Sequence, residues 1–455
     1  MVDPGLGGEQ RFDVAVVGAG ASGLAALRAL TARGFDAVAF ERGARIGGTW
    51  TLEERPTAAY RGLHLITSRA RTEFAELPMP DSTPDYPSKH AVGTYLEGYA
   101  ERFALTDRIR LRAEVRRVRP LPGGGWEVEL DDGTVHRVRA VVVANGHNEQ
   151  ARWPDPPYPG EFAGRQLHAL DYDDPGELEG AHVLVVGMGN SAMDIATEVS
   201  HVAERTLLSV RHGSWVIPKR LLGKPADQVI RPWVAVHVPW RLRQPLAQLL
   251  LRVGAGLPES YGLPKPERGL FQDHPTISDT ILSRISHGKI EPRPGITELT
   301  GAGVRFADGR EERVDAIVWC TGYRVVLPFL DTALVGPDPQ ELPLYMRVFH
   351  LDAPGLYFVG LMQSTGSAFP IVERQAALVA EHLAGTWALP APRRMRAEPE
   401  RRRAQALRRW GSHGRPAMRV DFDGYMHELG RELERGRRRA ERSGSRAGRA
   451  RARAA

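Results

Sequence analysis

A chain of 455 residues with 42% hydrophobic and 25% charged residues has the composition of a globular protein with a sizeable core, and room for two or three domains of roughly 150 residues each. Its one cysteine, Cys320, excludes an intrachain disulfide, a redox-active cysteine pair and cysteine-rich metal sites; no metal is expected, and a reducing, cytoplasmic compartment fits. The net charge of +6 comes from residues 435–455, where nine Arg face one Glu, and the rest of the chain is slightly acidic, so no specific nucleic-acid partner is expected of the fold.

The N-terminus MVDPGLGGEQRFDVAVVG has no basic segment followed by an apolar stretch, so no secretory signal is expected. No window approaches about 18 consecutive apolar residues, so neither is a transmembrane segment. A buried-strand pattern, Phe12 to Val17, runs into Gly18-Ala19-Gly20-Ala21-Ser22-Gly23 and then a helical stretch, Leu24 to Ala32. Gly18 permits the tight turn, Gly20 removes the Cβ that would block a pyrophosphate, and Gly23 lets helix and strand pack closely. The helix N-terminus adds partial positive charge. Glu41 ends the next apolar stretch, Ala37 to Phe40; it can accept from ribose hydroxyls and repels a 2′-phosphate, which suits FAD or NAD. Arg42 follows, and then Gly47-Gly48-Thr49-Trp50, whose glycines let backbone pass close to an extended cofactor.

Trp126 to Leu130 alternates, Asp131-Asp132-Gly133 turns, and Thr134 to Ala144 resumes as strand, so a hairpin is expected. Pro154 to Pro159 reads as a linker. A second strand, Val183 to Val186, then runs into Gly187-Met188-Gly189-Asn190-Ser191-Ala192 and a helix to about Val202. Alanine at the third position separates helix from strand slightly. The next strand ends in Arg211-His212, where the first unit has Glu41. A guanidinium pairs bidentately with a 2′-phosphate, so this unit suits NADPH.

Residues 228–262 are rich in Trp, Leu, Val and Pro. Pro245 to Val253 suggests an amphipathic helix that is buried against the domains or a partner subunit, in preference to a membrane surface. A hairpin at Val304 to Trp319, a strand at Leu356 to Val359 and a helix from Glu373 to Ala384 complete the pattern. The expected fold class is α/β, with two Rossmann-like dinucleotide-binding domains. The FAD domain comprises 10–155 and returns over 315–390; the NADPH domain, 160–314, is inserted into it, with 228–262 as a capping or interface insertion. A C-terminal helical segment follows over 391–434, and the Arg-, Gly-, Ala- and Ser-rich tail 435–455 is expected to be disordered.

Phe162-Ala163-Gly164-Arg165-Gln166-Leu167-His168-Ala169-Leu170-Asp171-Tyr172 matches FxGxxxHxxxY, and on this fingerprint the chain resembles the flavin-containing monooxygenases, among the class B flavoprotein monooxygenases. Baeyer–Villiger relatives end the fingerprint in Trp, where this chain has Tyr172. Ile46 to Trp50, Phe74 to Pro80, Cys320-Thr321-Gly322-Tyr323, Val359 to Gln363 and Asp421 to Met426 extend the likeness over roughly residues 10–433. The resemblance implies an oxidoreductase in which NADPH reduces FAD and reduced flavin captures O2 as a C4a-hydroperoxide. One oxygen atom then passes to a soft nitrogen or sulfur centre of a small molecule.

The same resemblance assigns Gly18, Gly20, Ser22, Gly23, Glu41, Arg42, Gly48, Thr49, Trp50, Val115, Thr321, Gly322 and Gln363 to FAD. Gly187, Gly189, Asn190, Ser191, Ala192, Asp194, Arg211 and His212 fall to NADPH. His168 reads as a structural residue that satisfies backbone groups. The family's active-site asparagine is replaced by Ile66, which offers neither donor nor acceptor; Thr67 or His64 is the available substitute, and Gln363 completes the candidate catalytic set. Uncoupled NADPH oxidation or Baeyer–Villiger oxygenation on the same scaffold is the alternative. A nucleotide-sensing or membrane-surface scaffold acting through its basic tail is a remote one, and a homodimer is compatible.

Overall fold

The structure, a computed structural model, describes residues 12–51, 57–273, 275–411 and 415–454; residues 10 and 11 of the expected first domain and Ala455 of the tail lie outside them. β1 (Val14–Val17) runs into α1 (Ala21–Thr31) and returns as β2 (Ala37–Phe40). Every residue of both strands is buried, as parallel strands covered on two faces require. The chain continues through α2 (Lys89–Arg102) and β3 (Ile109–Arg110) into an antiparallel meander, β4 (Val115–Pro120), β5 (Trp126–Leu130) and β6 (Val135–Val138). The expected hairpin forms between β5 and β6, but its second arm is interrupted at Arg139. Beyond it, β7 (Ala140–Val143) leaves the meander and pairs in parallel with β1.

The inserted unit contains β8 (Arg165–His168), β9 (His182–Val186), α3 (Asn190–Val199), β10 (Arg205–Ser209), α4 (Trp240–Gly254), β11 (Glu291–Arg293) and β12 (Ala316–Trp319). Its sheet has the order β8-β12-β9-β10-β11, all parallel. This corrects the expected boundary at 314/315: β12 is an interior strand of the inserted unit, and the return to the first unit begins after it. A four-residue apolar strand looks the same whichever sheet receives it; its hydrogen bonds to β8 and β9 decide.

The returning chain supplies β13 (Leu344–Tyr345), β14 (Phe349–His350), β15 (Leu356–Phe358), β16 (Gln363–Ser364), α5 (Phe369–Leu383), α6 (Pro392–Trp410), β17 (Arg419–Val420) and α7 (Phe422–Ala454). The first sheet then reads β13-β14-β15-β7-β1-β2-β3, and α5 lies against α1 on its core face.

One further expectation is corrected. The tail from residue 435 continues as the helix α7 through Ala454. The helix is already nucleated where Tyr425 and Leu429 are buried, and Arg and Ala propagate it at little cost. Arg437 pairs with the buried carboxylate of Glu381, and Arg439 reaches the carbonyl of Ala388 and Glu432. In the 228–262 insertion, α4 buries Leu251 beside Trp215 and Leu270. Its other stripe is open to solvent: Leu242 is 72% exposed and Val253 81%. One side of the amphipathic helix meets the domain, and the apolar stripe does not.

Candidate functional site

At the end of β1, Gly18 has φ 101°, and a Cβ there would stand 2.8 Å from the Ala144 oxygen. Gly23 is tighter still, with a Cβ falling 1.9 Å from the Gly18 oxygen, so α1 lies on β1 only with glycine at this place. Gly20 differs. The nearest atom to a Cβ would be Gly48 Cα at 3.5 Å, so protein contacts leave this space open, with room for a pyrophosphate to approach the backbone. Ser22 lies in the first turn of α1 and is approached by Gly360, whose Cβ would come within 2.3 Å of the hydroxyl oxygen.

The buried Glu41 carboxylate accepts from Ala19 N at 2.7 Å and Gly43 N at 2.9 Å. The neighbouring Arg112 and Ala113 amides donate to the carbonyls of Gly43 and Glu41, which brings Val115 beside this end of the cradle. Arg42 pairs with Glu149 at 3.1 Å. The Thr57 hydroxyl donates to the Thr49 carbonyl at 2.9 Å, and the Trp50 backbone passes so close to Gly93 that a Cβ there would lie 2.8 Å from its oxygen.

In the second unit Gly187 has φ 136°, and a Cβ there would lie 2.7 Å from the Cys320 oxygen. Gly189 caps α3 in extended backbone and has open space at its Cβ position. Ala192 is buried where the first unit needs Gly23, so α3 stands further from β9 than α1 does from β1. Asn190 Oδ1 accepts from Ile277 N at 2.8 Å, and Ser191 follows in the first turn. His212 pairs with Glu267. Arg211 is exposed and, among the described residues, has no ionic partner; Gly295 packs against the base of its side chain.

Thr321 and Gly322 follow β12, which lies next to β9, and are tied to the segment that leaves β7: the Thr321 hydroxyl donates to the Arg152 carbonyl and the Arg152 amide to the Gly322 carbonyl, so they stand between the two cradles. Asp194 leaves the phosphate set: its carboxylate accepts the Tyr60 hydroxyl at 2.9 Å. A carboxylate facing a pyrophosphate would repel it.

That contact belongs to a junction between the units that pattern reading missed. Tyr60 comes from the first unit, and its ring meets Tyr172 edge-on at 5.6 Å. The Tyr172 hydroxyl donates to Glu198 at 2.8 Å, and a Cβ on Gly62 would strike the same carboxylate at 1.9 Å. Tyr172 was visible as the last residue of the fingerprint; Tyr60, Gly62 and Glu198 carried no signal. His168 is buried and accepts the Leu170 amide at 3.0 Å, the backbone-satisfying place expected of it.

Burial pushes the Glu198 carboxyl from its ordinary 4.5 up to about 7; the Tyr172 hydroxyl opposes the rise and Asp194 adds to it. A raised acid favours the folded state while protonated, so the contribution is full below pH 4.5 and lost as pH rises through 7. Glu198→Gln keeps an acceptor for Tyr172 without the charge. Its melting temperature relative to the parent is expected to climb across that interval, and a difference that stays flat with pH would remove Glu198 as the titrating group.

Ile66 is half-buried on the segment between Leu65 and Ser68. The Thr72 hydroxyl donates to the Ser68 carbonyl, so the Thr67 hydroxyl, 2.8 Å away, spends its proton on Thr72 and can offer only an acceptor. His64 is exposed, with Nδ1 3.0 Å from the Gly62 carbonyl. Neither replaces an amide. The start of the insertion lies directly over this segment: Asp227 accepts from Ser68 N at 2.7 Å and Gln228 donates to Ser68 Oγ at 2.9 Å. Gln363, on β16, is half-buried and paired in register with Arg419.

The model of one family, flavin-binding monooxygenase-like, matches residues 11–436. This chain belongs to that family. It is 31% identical to flavin-containing monooxygenase 3 of Rattus norvegicus over 91% of this chain and 82% of that one. It is 32% identical to dimethylaniline monooxygenase [N-oxide-forming] 2 of Mus musculus, over 92% and 82%. Among solved structures, the S-allyl-L-cysteine S-oxygenase of Allium sativum aligns with a TM-score of 0.68 at 25% identity, over 94% of this chain and 89% of that one. The closed structure of cyclohexanone monooxygenase shares the fold, with a TM-score of 0.70 at 20% identity over 95% and 99%.

As a family member the chain is a flavin-dependent monooxygenase, with FAD and NADPH as cofactors. The first cradle fits a dinucleotide without a 2′-phosphate, because Glu41 is fixed at its tip, and the second fits one with it, because Arg211 stands unpaired there. Among the described residues no helix is long and apolar enough to cross a membrane.

Proposed function

We propose that this flavin-binding monooxygenase transfers one atom of O2 to a soft nitrogen or sulfur centre of a small molecule. The observation that carries the reading is the fingerprint segment, which ends in Tyr172 held against Glu198, where Baeyer–Villiger relatives carry Trp. The likeness to an S-oxygenase at 25% identity supports it. When bound, FAD would supply the redox chemistry, reduction by NADPH and activation of dioxygen; this chain's residues supply binding, orientation and exclusion of water.

Gly18, Gly20, Gly23 and Gly48 would give the FAD pyrophosphate its path, and Glu41 would accept from the adenosine ribose. Asn190 and Ser191, at the start of α3, would meet the NADPH pyrophosphate, and Arg211 would take its 2′-phosphate. Thr321 and Gly322 would border the paths between the two units. Gln363 supplies an amide from β16, and Tyr60 and Tyr172 fix one unit against the other. Turnover of thioanisole and N,N-dimethylaniline under labelled dioxygen tests the reading. Label in sulfoxide or N-oxide supports it; label only in peroxide replaces it with an oxidase, and label in an ester from a ketone probe replaces it with a Baeyer–Villiger enzyme.

Ile66 predicts incomplete coupling on this reading, since a donor worth about 1–3 kcal/mol is withdrawn from the oxygen-reacting site. Ile66→Asn is expected to lower the peroxide released per NADPH severalfold without slowing flavin reduction. Unchanged peroxide yield would show that the position does not limit coupling.

A further inference from the structure

Among the buried cations that the mechanism does not use, Arg347 and Arg419 each have an unpartnered guanidinium nitrogen among the described residues, and of the two only Arg419 lines a cleft. Arg419 is the first residue of β17, and in the parallel pair with β16 it stands in register with Gln363. Residues in register across a parallel pair face the same side of the sheet, so the guanidinium shares the face of the active-site glutamine. Its side chain is only 9% exposed, and its one ion pair among the described residues, to Asp273, is 3.5 Å long. Nε and Nη1 have no hydrogen-bond partner among the described residues.

A guanidinium cannot shed its proton to escape burial as an ammonium can, and an under-compensated buried charge is costly. Burial weakens the protonated form of Arg419, Asp273 opposes that, and Arg268 adds to it. Trp410 lines the same cleft of about 270 Å³ and has a buried indole N–H without an acceptor among the described residues.

The rest of the cleft is accounted for. Arg409 is neutralised by Asp421 at 2.8 Å, and Arg402 by Glu428 at 2.8 Å and by Glu398. Arg243 donates only to the carbonyls of Val238 and Ala235. What is left over is donors and positive charge, in a space sized for a molecule of amino-acid dimensions.

We propose that Arg419, with Trp410, anchors a carboxylate carried by the substrate, so that this enzyme is selective for acidic thioethers or amines. The assignment rests on the oxygenase reading above and adds the substrate's second functional group. The second cradle has its own phosphate partner in Arg211, and the Asp421 and Glu428 carboxylates in the cleft disfavour a multiply charged phosphate over a single carboxylate.

The test compares 4-(methylthio)benzoate with its neutral methyl ester. For the parent, kcat/KM for sulfoxide formation is expected to favour the acid about 10- to 100-fold, the range of a charge-assisted hydrogen bond. In Arg419→Gln that ratio should collapse towards one; Arg419→Lys, which keeps the charge without the planar fork, should retain part of it. A parent without preference for the acid, or a variant in which both probes fall in parallel, overturns the proposal. A variant whose NADPH KM rises while the ratio holds gives Arg419 to the cofactor and also overturns it.

Calorimetric titration of the FAD-loaded parent and variants with the acid separates this failure from failure of the oxygenase reading. If neither thioether is oxygenated but the acid binds the parent at least tenfold more tightly than Arg419→Gln, the anion site stands and the chemistry assigned to the enzyme falls. Equal binding by all three proteins ends the proposal even where turnover is absent. Flavin content, measured by absorbance, identifies a variant that has not folded, and Arg419→Lys then carries the comparison.

Discussion

Alanine at Gly23 is expected to give a destabilised protein that is purified without flavin. Its Cβ would meet the Gly18 carbonyl oxygen at 1.9 Å, and backbone on both sides leaves no flexible side chain to give way. Helix α1 must lift from β1, which costs about 3 kcal/mol or more, at the upper end of overpacking effects. Moving α1 also moves the N–H groups that face the pyrophosphate. Gly20→Val is the companion. Gly20 has φ −75°, open to any residue, and its would-be Cβ meets nothing closer than 3.5 Å. The apo fold should therefore melt close to the parent, while flavin affinity falls by orders of magnitude. Flavin absorbance relative to protein, together with thermal melts, separates the two; a yellow, fully loaded Gly20→Val protein would remove the pyrophosphate from this turn.

Arg211→Ala carries the second large effect. A bidentate guanidinium–phosphate pair contributes about 1.5–3 kcal/mol, or roughly 10- to 150-fold in affinity. The KM for NADPH should rise by that factor and the KM for NADH by little. Arg211 is exposed and unpaired among the described residues, so its removal breaks no ion pair described in the fold. Steady-state kinetics with both nucleotides decide it, and an equal rise for the two would place the 2′-phosphate elsewhere. Glu41 makes the opposite arrangement legible: two backbone amides already hold its carboxylate at the tip of the first cradle.

Much of this was present in local pattern. A strand, a glycine turn and a helix are contiguous in the chain, and the steric demand for glycine acts between residues a few positions apart. Both cradles and their acidic and basic tips could therefore be read from spacing. Ile66 was visible by another route: the family resemblance implies an amide at that position, and the sequence has an isoleucine there. The boundary at 314/315 was not, since Ala316–Trp319 is an apolar strand in either assignment. The tail failed for a different reason: its composition is that of a solvated segment, yet Arg437 finds Glu381 on a helix 56 residues away.

The order of side chains thus determined which nucleotides the two turns suit, because backbone approach and charge at a strand end are properties of short segments. Tertiary structure alone decided which sheet receives β12, how Tyr60 and Tyr172 lock the units through Asp194 and Glu198, and that Arg419 lies in register with Gln363. Those contacts join residues 134, 26 and 56 positions apart, and they form only when distant segments of the chain are packed together, where burial sets the cost of each unpaired charge.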